Sequence, residues 1–503
     1  MGGMKMLDQD YNVALLNQPI DVEKEFASYE NVYYPAESVE EFDKRKQRGV
    51  IHCSRNGRKA RMAFNDGRLP FEESQAWEFP PHYGVGKRMP FSVDLINERV
   101  VRIRVQGNLQ KDFADKDASV MLSEKVTAQN QWKAEETEES VRYSWEKGSV
   151  EVRYQPFHLI LKDEKGKVLL KTNHPKNSCA LLNCDPFPFG AVEKIRDTKT
   201  CLAASFQLFP EEKLFGCGES FTRLDKRGQK LVLYTKDPHG VQTPNMYKPI
   251  PFYLSNRGYG IFYHTSAPMT LDLGRTYDGA QVVYLGDDML EMYVMIGSPK
   301  EIVESYTGLT GRAPMLPEWT FGLWMSRISY FSQDEVEKVA ERMEEEKLPL
   351  SVIHLDTGWF AEDWKCDFRF SEERFPDRKG MYEKLKEKGI HISLWQYPYF
   401  TPENRCFAEA KEKGYGVKGL DGGLATKDVV VDMSNPEAVK WYQEKLRGLL
   451  EEGADCIKAD FGEAAPVQGL YASGKSGFYE HNLYPLRYNK AVAEVVKEVK
   501  GAP

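Results

Sequence analysis

The feature that most constrains this chain is an alternation of strand-like and helix-like segments, repeated four times over about 185 residues in its C-terminal part. Past the Gly- and Pro-bearing stretch 311–317, residues 319–325 read as a short apolar strand. Ser332 and Glu335 then form a capping box, and Val336, Val339, Ala340 and Met343 follow at helical spacing. Residues 351–355 make a second strand, with a helix around 381–388. A third strand, 390–395, leads through a longer loop to another capping box, Ser434 with Glu437, and a helix through Val439, Tyr442, Leu446 and Leu449. The fourth strand is 455–459, and a fourth helix is expected near 488–500. Such a chain needs a parallel sheet covered by helices, either an open doubly wound sheet or a (β/α)8 barrel. No Gly-rich phosphate loop follows the first strand, so the nucleotide-binding form lacks its usual mark.

Residues 1–310 have another rhythm. Short alternating stretches recur at 99–105, 150–154, 157–161, 168–171, 231–234 and 281–285, with turn signals at 163–167 and 256–258. Many short strands at close spacing predict a β-sandwich. The expected division is therefore a β domain over 1–310 and an α/β domain over 311–503.

Composition removes several function classes. A formal net charge of −8 argues against a polyanion-binding surface, so nucleic acid is not an expected partner. Aromatic residues make up 12% of the chain, which suits a neutral ligand that stacks on rings, such as a sugar. The 8 cysteines show no CxxC spacing; buried free thiols in a reducing compartment are the expectation, rather than zinc or a disulfide framework. The first residues lack a charged segment followed by an apolar one, and no apolar run approaches the roughly 18 residues of a membrane span. A cytoplasmic protein without a membrane partner is the default.

In a barrel, chemistry sits at the C-terminal ends of the strands. The first strand is expected to deliver Trp324 and Arg327, the second Asp356 and then Trp359, the third Trp395, and the fourth Lys458, Asp460 and Glu463. Indole faces support a sugar's C–H surface and carboxylates bind hydroxyls. Plainer roles stay open: Asp356 as a helix cap or rim ion pair, Trp395 as core packing, Lys458 with Asp460 as a buried pair, Glu463 as a loop carboxylate. Retaining glycoside hydrolysis gives Asp460 a reason, because it needs an ionised carboxylate to attack the anomeric carbon and a second, protonated carboxyl about 5–5.5 Å away. Lys458 alternates with Asp460 along a strand, so it shares that face and would favour the carboxylate form.

At these residues the chain resembles glycoside hydrolase family 31, and within it the α-xylosidase branch, whose nucleophile lies in a Lys-x-Asp-Phe-Gly-Glu segment. Here that segment is Lys458-Ala459-Asp460-Phe461-Gly462-Glu463. Further similar segments are Trp319-Thr320-Phe321-Gly322-Leu323-Trp324, His354-Leu355-Asp356, Cys366-Asp367-Phe368, Arg374-Phe375-Pro376-Asp377 and Leu394-Trp395. Upstream, Gly216-Cys217-Gly218-Glu219-Ser220-Phe221 and Lys248-Pro249-Ile250-Pro251-Phe252-Tyr253 resemble the family's N-terminal domain. The resemblance implies a galactose-mutarotase-like β-sandwich followed by a TIM barrel, and a retaining α-glycosidase acting through a covalent glycosyl–Asp460 intermediate. It implies a carbohydrate substrate and no cofactor or metal. Asp460 and Glu463 are then the catalytic candidates, although no acid/base role is assigned to Glu463. Asp237, Asp356, Trp395, Lys458, Trp324, Arg327 and Trp359 are the substrate-binding candidates, Asp237 on the resemblance alone.

Two departures carry weight. The α-xylosidase pattern has Cys-Phe after the second-strand Asp, crowding the place of a hexose C6. Thr357-Gly358 stands here and is expected to leave more room. An α-glucoside or α-galactoside is thus plausible beside the α-xyloside that the branch favours. Second, a (β/α)8 barrel has eight units over about 250 residues, and four are present. The acid/base is expected beyond Pro503, and the chain is expected to be the first half of the barrel in a longer enzyme, inactive by itself. Uncovered sheet edges would favour self-association, so a homo-oligomer stays open. The rival readings are a non-catalytic sugar-binding relative and a metal-dependent barrel enzyme using Lys458 as base.

Overall fold

The computed structural model describes residues 19–27, 31–57, 86–107, 113, 120–173, 187–194 and 200–501. The N-terminal stretch read for a leader, and Cys179 and Cys184, lie outside them. Two compact units emerge, one from Pro19 to Arg312 and one starting at Ala313.

The first unit is antiparallel β structure. A 14-stranded sheet and a five-stranded sheet share one apolar core. The smaller sheet is a meander running from Lys133–Glu136 through Ser140–Trp145, Gly148–Arg153 and His158–Asp163 to Val168–Lys171. It contributes Val141, Tyr143, Val152 and Leu161 to a core that the larger sheet fills with Phe91, Ile103, Leu271 and Val294. The larger sheet bends along Val32–Asp43. This strand pairs with Phe189–Glu193 over its first part and with Arg48–Cys53 over the rest, with register shifts between Ala36 and Ser38 and between Val39 and Glu41. The alternating strand Val100–Gln106 is buried on both of its faces. Val101, Ile103 and Val105 join the core, and Arg102 and Arg104 meet Asp94 at 3.0 and 3.2 Å. Buried charges survive there because they are paired. A helix absent from the sequence reading, Pro299–Thr310, starts on a capping box between Ser298 and Glu301.

The second unit alternates as expected: β1 (Trp324–Ser326), α1 (Gln333–Glu345), β2 (Val352–Leu355), α2 (Arg378–Glu387), β3 (His391–Gln396), α3 (Pro436–Glu452), β4 (Cys456–Ala459) and α4 (Tyr484–Lys500). The strands are parallel and lie in sequence order. On one face of the sheet Ile353, Leu355, Ile392 and Leu394 are buried in one cluster with Ala340, Met381, Leu385, Tyr442, Leu446, Tyr488 and Val492 of the helices. At about 25 cal/mol per Å² of apolar area, this packing is the main force holding the layers together.

Three local readings are corrected. Residues 319–325 are not one strand: Glu318–Phe321 is a 3-10 turn and β1 starts only at Trp324. The cap of α3 is Asn435, whose side chain accepts from the Glu437 N–H at 3.0 Å, whereas Ser434 is engaged with Asp432. Pro436 at the first helical position fixes this phase. The long loop after β3 contains a helix, Arg405–Glu412, and a two-stranded ribbon, Tyr399–Phe400 with Val429–Val430. No described helix is long and apolar enough to cross a membrane. Cys53, Cys217, Cys366 and Cys406 are buried thiols, as expected, and burial pushes Cys217 up to about 12.

Candidate active site

Strand register builds the site. His354 stands beside Ser393 and Ser393 beside Cys456, forming one row across β2, β3 and β4. Two residues on, Asp356 follows Leu355 and falls beside Trp395, which is paired with Lys458. Because side chains alternate, both rows lie on the face turned away from the helices. Asp460 extends β4 by one step, its backbone N–H donating to the Gln396 carbonyl at 3.1 Å.

Four of the candidates meet here. The Trp395 indole N–H donates to Asp460 Oδ2 at 2.7 Å, and the Phe461 N–H donates to Oδ1 at 2.9 Å. Lys458 Nζ lies 3.4 Å from Asp460 Oδ2 and 3.2 Å from Asp356 Oδ2, so one ammonium joins two carboxylates. Asp356 also meets His354 Nε2 at 3.0 Å and accepts from the Thr357 N–H at 3.1 Å. Burial pushes the Asp356 carboxyl up, but the His354 hydrogen bond and the Lys458 charge outweigh it and hold it below its ordinary value. A carboxyl kept ionised in this way is no proton donor at neutral pH. Asp356 is therefore suited to hydroxyl binding rather than to acid catalysis.

The chain turns sharply after Asp460. Phe461 has φ 62° and Gly462 φ 119°, a left-handed backbone that is uncommon for a bulky residue. Strain of this kind concentrates at functional sites, where the surroundings over-determine it. Here the Tyr399 hydroxyl oxygen accepts the N–H groups of both Gly462 and Ala464, at 2.9 and 3.1 Å, and the Phe461 ring lies among Trp395, Tyr397 and Tyr399. Glu463 is half-buried, and its charge acts on the buried phenols of Tyr399 and Tyr484.

The tryptophans divide differently from the sequence reading. Trp359 is fully buried, its ring against Phe360 and Phe370 and its N–H donating to the Trp395 carbonyl at 3.1 Å, so it supports Trp395 from within the core. Trp395 itself is only 1% exposed, and its contribution is the hydrogen bond to Asp460 rather than an open stacking face. An exposed ring at this end is Trp364, 46% accessible and edge-on to Trp395 at 5.8 Å, which the sequence reading missed. It sits in a loop at φ 66°, where no periodicity marks it. Trp324 is 40% exposed but starts β1 in register with Val352, near Trp319, at the opposite end of the strands from Asp356. The late start of β1 puts it there. Arg327 is ion-paired with Glu335 in the first turn of α1 and lies 5.6 Å from the Tyr330 ring centre, so it is drawn to the helix layer.

Thr357 and Gly358 are closely surrounded by side chains. Thr357 is fully buried, and a Cβ on Gly358 would stand 2.8 Å from Ser329 Cβ and 3.0 Å from Phe331 Cδ1. Asp237 belongs to the other unit, where its carboxylate accepts from the His239 N–H at 2.8 Å. Among the described residues no group of three or more His, Cys, Asp or Glu side chains is placed to hold a metal ion.

A family model described as the glycosyl hydrolases family 31 TIM-barrel domain matches residues 313–502, and one described as the glycosyl hydrolase 31 N-terminal galactose mutarotase-like domain matches residues 90–272. The chain belongs to glycoside hydrolase family 31. Within the family it is 38% identical over 303 residues to α-xylosidase XylQ of Lactiplantibacillus pentosus, covering 58% of this chain and 40% of the relative. An α-xylosidase of Emericella nidulans is 35% identical over 308 residues, covering 59% and 39%. The chain thus spans about two-fifths of the length of these relatives. Among solved structures, a family 31 dextranase of Flavobacterium johnsoniae complexed with isomaltotriose superposes with a TM-score of 0.74 at 21% identity, covering 92% of this chain and 53% of that one. A family 31 α-xylosidase from a soil metagenome, complexed with xylose, gives 0.69 at 23% identity, covering 82% and 61%. These likenesses bear out the expected architecture, a galactose-mutarotase-like β domain followed by strands and helices of a family 31 TIM barrel.

Proposed function

We propose that this chain carries the nucleophile half of a retaining α-glycosidase site, with Asp460 attacking the anomeric carbon of a terminal α-linked sugar. The observation that carries the reading is the Asp460 carboxylate, fixed by two N–H donors and joined through Lys458 to Asp356. A nucleophile held in this way needs little reorganisation before attack. The Asp460–C1 ester forms as the bond to the leaving oxygen breaks, and water later cleaves that ester with net retention. Asp356 accepts and Lys458 donates to sugar hydroxyls, and Trp364 offers a ring face at the rim. The proton for the leaving group comes from a carboxyl outside this constellation.

For the sugar, an α-xyloside is the first choice. Two of the most similar relatives are α-xylosidases. Ser329 and Phe331 stand against the Cβ position of Gly358, which is in keeping with a sugar that lacks a C6 group.

A 5-fluoro-α-xylosyl fluoride tests this directly, because fluoride departs without a proton donor. Asp460–C1 bond formation is matched by C1–F cleavage, and the 5-fluoro group slows hydrolysis of the ester. The expected result is a xylosyl adduct on the peptide bearing Asp460, found by mass spectrometry and absent after Asp460→Ala. Faster labelling by the glucosyl analogue would move the substrate to a hexoside. An adduct on another residue would overturn Asp460 as the nucleophile, and sugar binding with no adduct would favour the non-catalytic reading.

A further inference from the structure

Asp356 has a third partner that the reading above leaves without a role. His354 stands directly behind it on β2, 6% exposed, with both ring nitrogens engaged: Nε2 is 3.0 Å from Asp356 Oδ2, and Nδ1 is 2.9 Å from Ser393 Oγ on β3. A ring nitrogen this close to a carboxylate oxygen must carry a proton, since otherwise two lone pairs would face one another. Ser393 thus sits where it can fix which nitrogen donates. An ionised carboxylate offers about four acceptor positions. His354 and Lys458 take those of Oδ2, and the Thr357 N–H takes one on Oδ1, which leaves a single position for a ligand.

From this geometry we infer that His354 is a positioning residue: held by Ser393, it donates from Nε2 to Asp356 and fixes the carboxylate so that its one remaining acceptor position meets a sugar hydroxyl. Without His354 the carboxylate is free to rotate onto Lys458, whose ammonium already lies between Asp356 and Asp460. The bland alternative is a satisfied core histidine whose loss would loosen the sheet without acting through Asp356.

The sugar side of this inference rests on the proposed function, and the test keeps the two apart. Labelling by 5-fluoro-α-xylosyl fluoride gives an apparent affinity and a maximal rate for each variant. His354→Leu is expected to weaken the apparent affinity roughly tenfold, the scale of one hydrogen bond to a charged group. His354→Gln, whose amide N–H reaches a similar place, recovers most of it. In an Asp356→Ala background, His354→Leu adds nothing further, because its effect runs through Asp356. A Gln variant no better than Leu, or equal effects in both backgrounds, overturns the inference. A wild-type chain that is never labelled sinks the proposed function instead. The positioning claim then stands or falls on 15N-histidine spectra of the unlabelled protein, assigned with His354→Gln. A proton on Nε2 of His354, with Ser393→Ala shifting the tautomer balance, supports it. A bare Nε2, or no response to Ser393→Ala, overturns it.

Discussion

Tyr399→Phe is the sharpest test of how the turn after Asp460 is held. The substitution keeps the ring in place and deletes one oxygen, which accepts the N–H groups of Gly462 and Ala464 at 2.9 and 3.1 Å. Each such bond contributes about 1 kcal/mol net, so the turn should lose about 2 kcal/mol, or roughly a 30-fold easier local opening. The loss should be local, because the backbone it releases already holds Phe461 at φ 62°. Hydrogen exchange read by mass spectrometry over residues 461–464 is the suitable assay, with α2 and α3 as internal controls. The expected outcome is about 30-fold faster exchange in that peptide alone, with slower labelling of Asp460. Unchanged exchange there would refute the clamp. Acceleration spread evenly over the unit would mean that Tyr399 supports the fold at large.

Three further outcomes follow. Gly358→Ala should destabilise the second unit by about 1–3 kcal/mol through overpacking against Ser329 and Phe331, with Ser329→Gly restoring part of it in the double variant, as read by urea unfolding. Asp356 has a folded-state pKa below its unfolded value of about 3.9, so its contribution to stability is full above that pH and is lost as pH falls through the folded value. The stability gap between wild type and Asp356→Asn should therefore be widest near neutrality and close in acid; a gap that widens on acidification would reverse the assignment. Chelation with EDTA should leave the labelling rate unchanged, whereas a loss repaired by a divalent cation would revive the metal-dependent reading with Lys458 as base.

Much of this was legible in residue order. Three of the four strands of the second unit, β2, β3 and β4, begin and end close to where apolar runs place them, because alternation with helices leaves few other foldings. Lys458 and Asp460 share a face by simple counting, and the same i, i+2 rule applied to β2 would have singled out His354 beside Asp356. The tryptophans were harder. Pattern reveals that an indole is near a strand end, but not whether its ring turns inward as Trp359 does or outward as Trp364 does; that depends on loop conformation. Trp324 was misplaced because a 3-10 turn, set by local Pro317 and Gly322, used up residues that looked like strand. Asn435 was passed over for Ser434, although Pro436 marks the residue before it as the cap.

The row that holds Asp356, Trp395 and Lys458 also acts as a proofreading device. A slip of β4 by one residue would send Lys458 and Asp460 beneath the helices and turn Ile457 and Ala459 to the face that carries Asp356. Burying two charges against apolar helices costs several kcal/mol each, so the misaligned sheet is rejected before it can persist. Chain copies that fold at all therefore carry an aligned site, and substitutions on the helix-facing side of β4 should surface as lost chemistry even though they never touch a sugar.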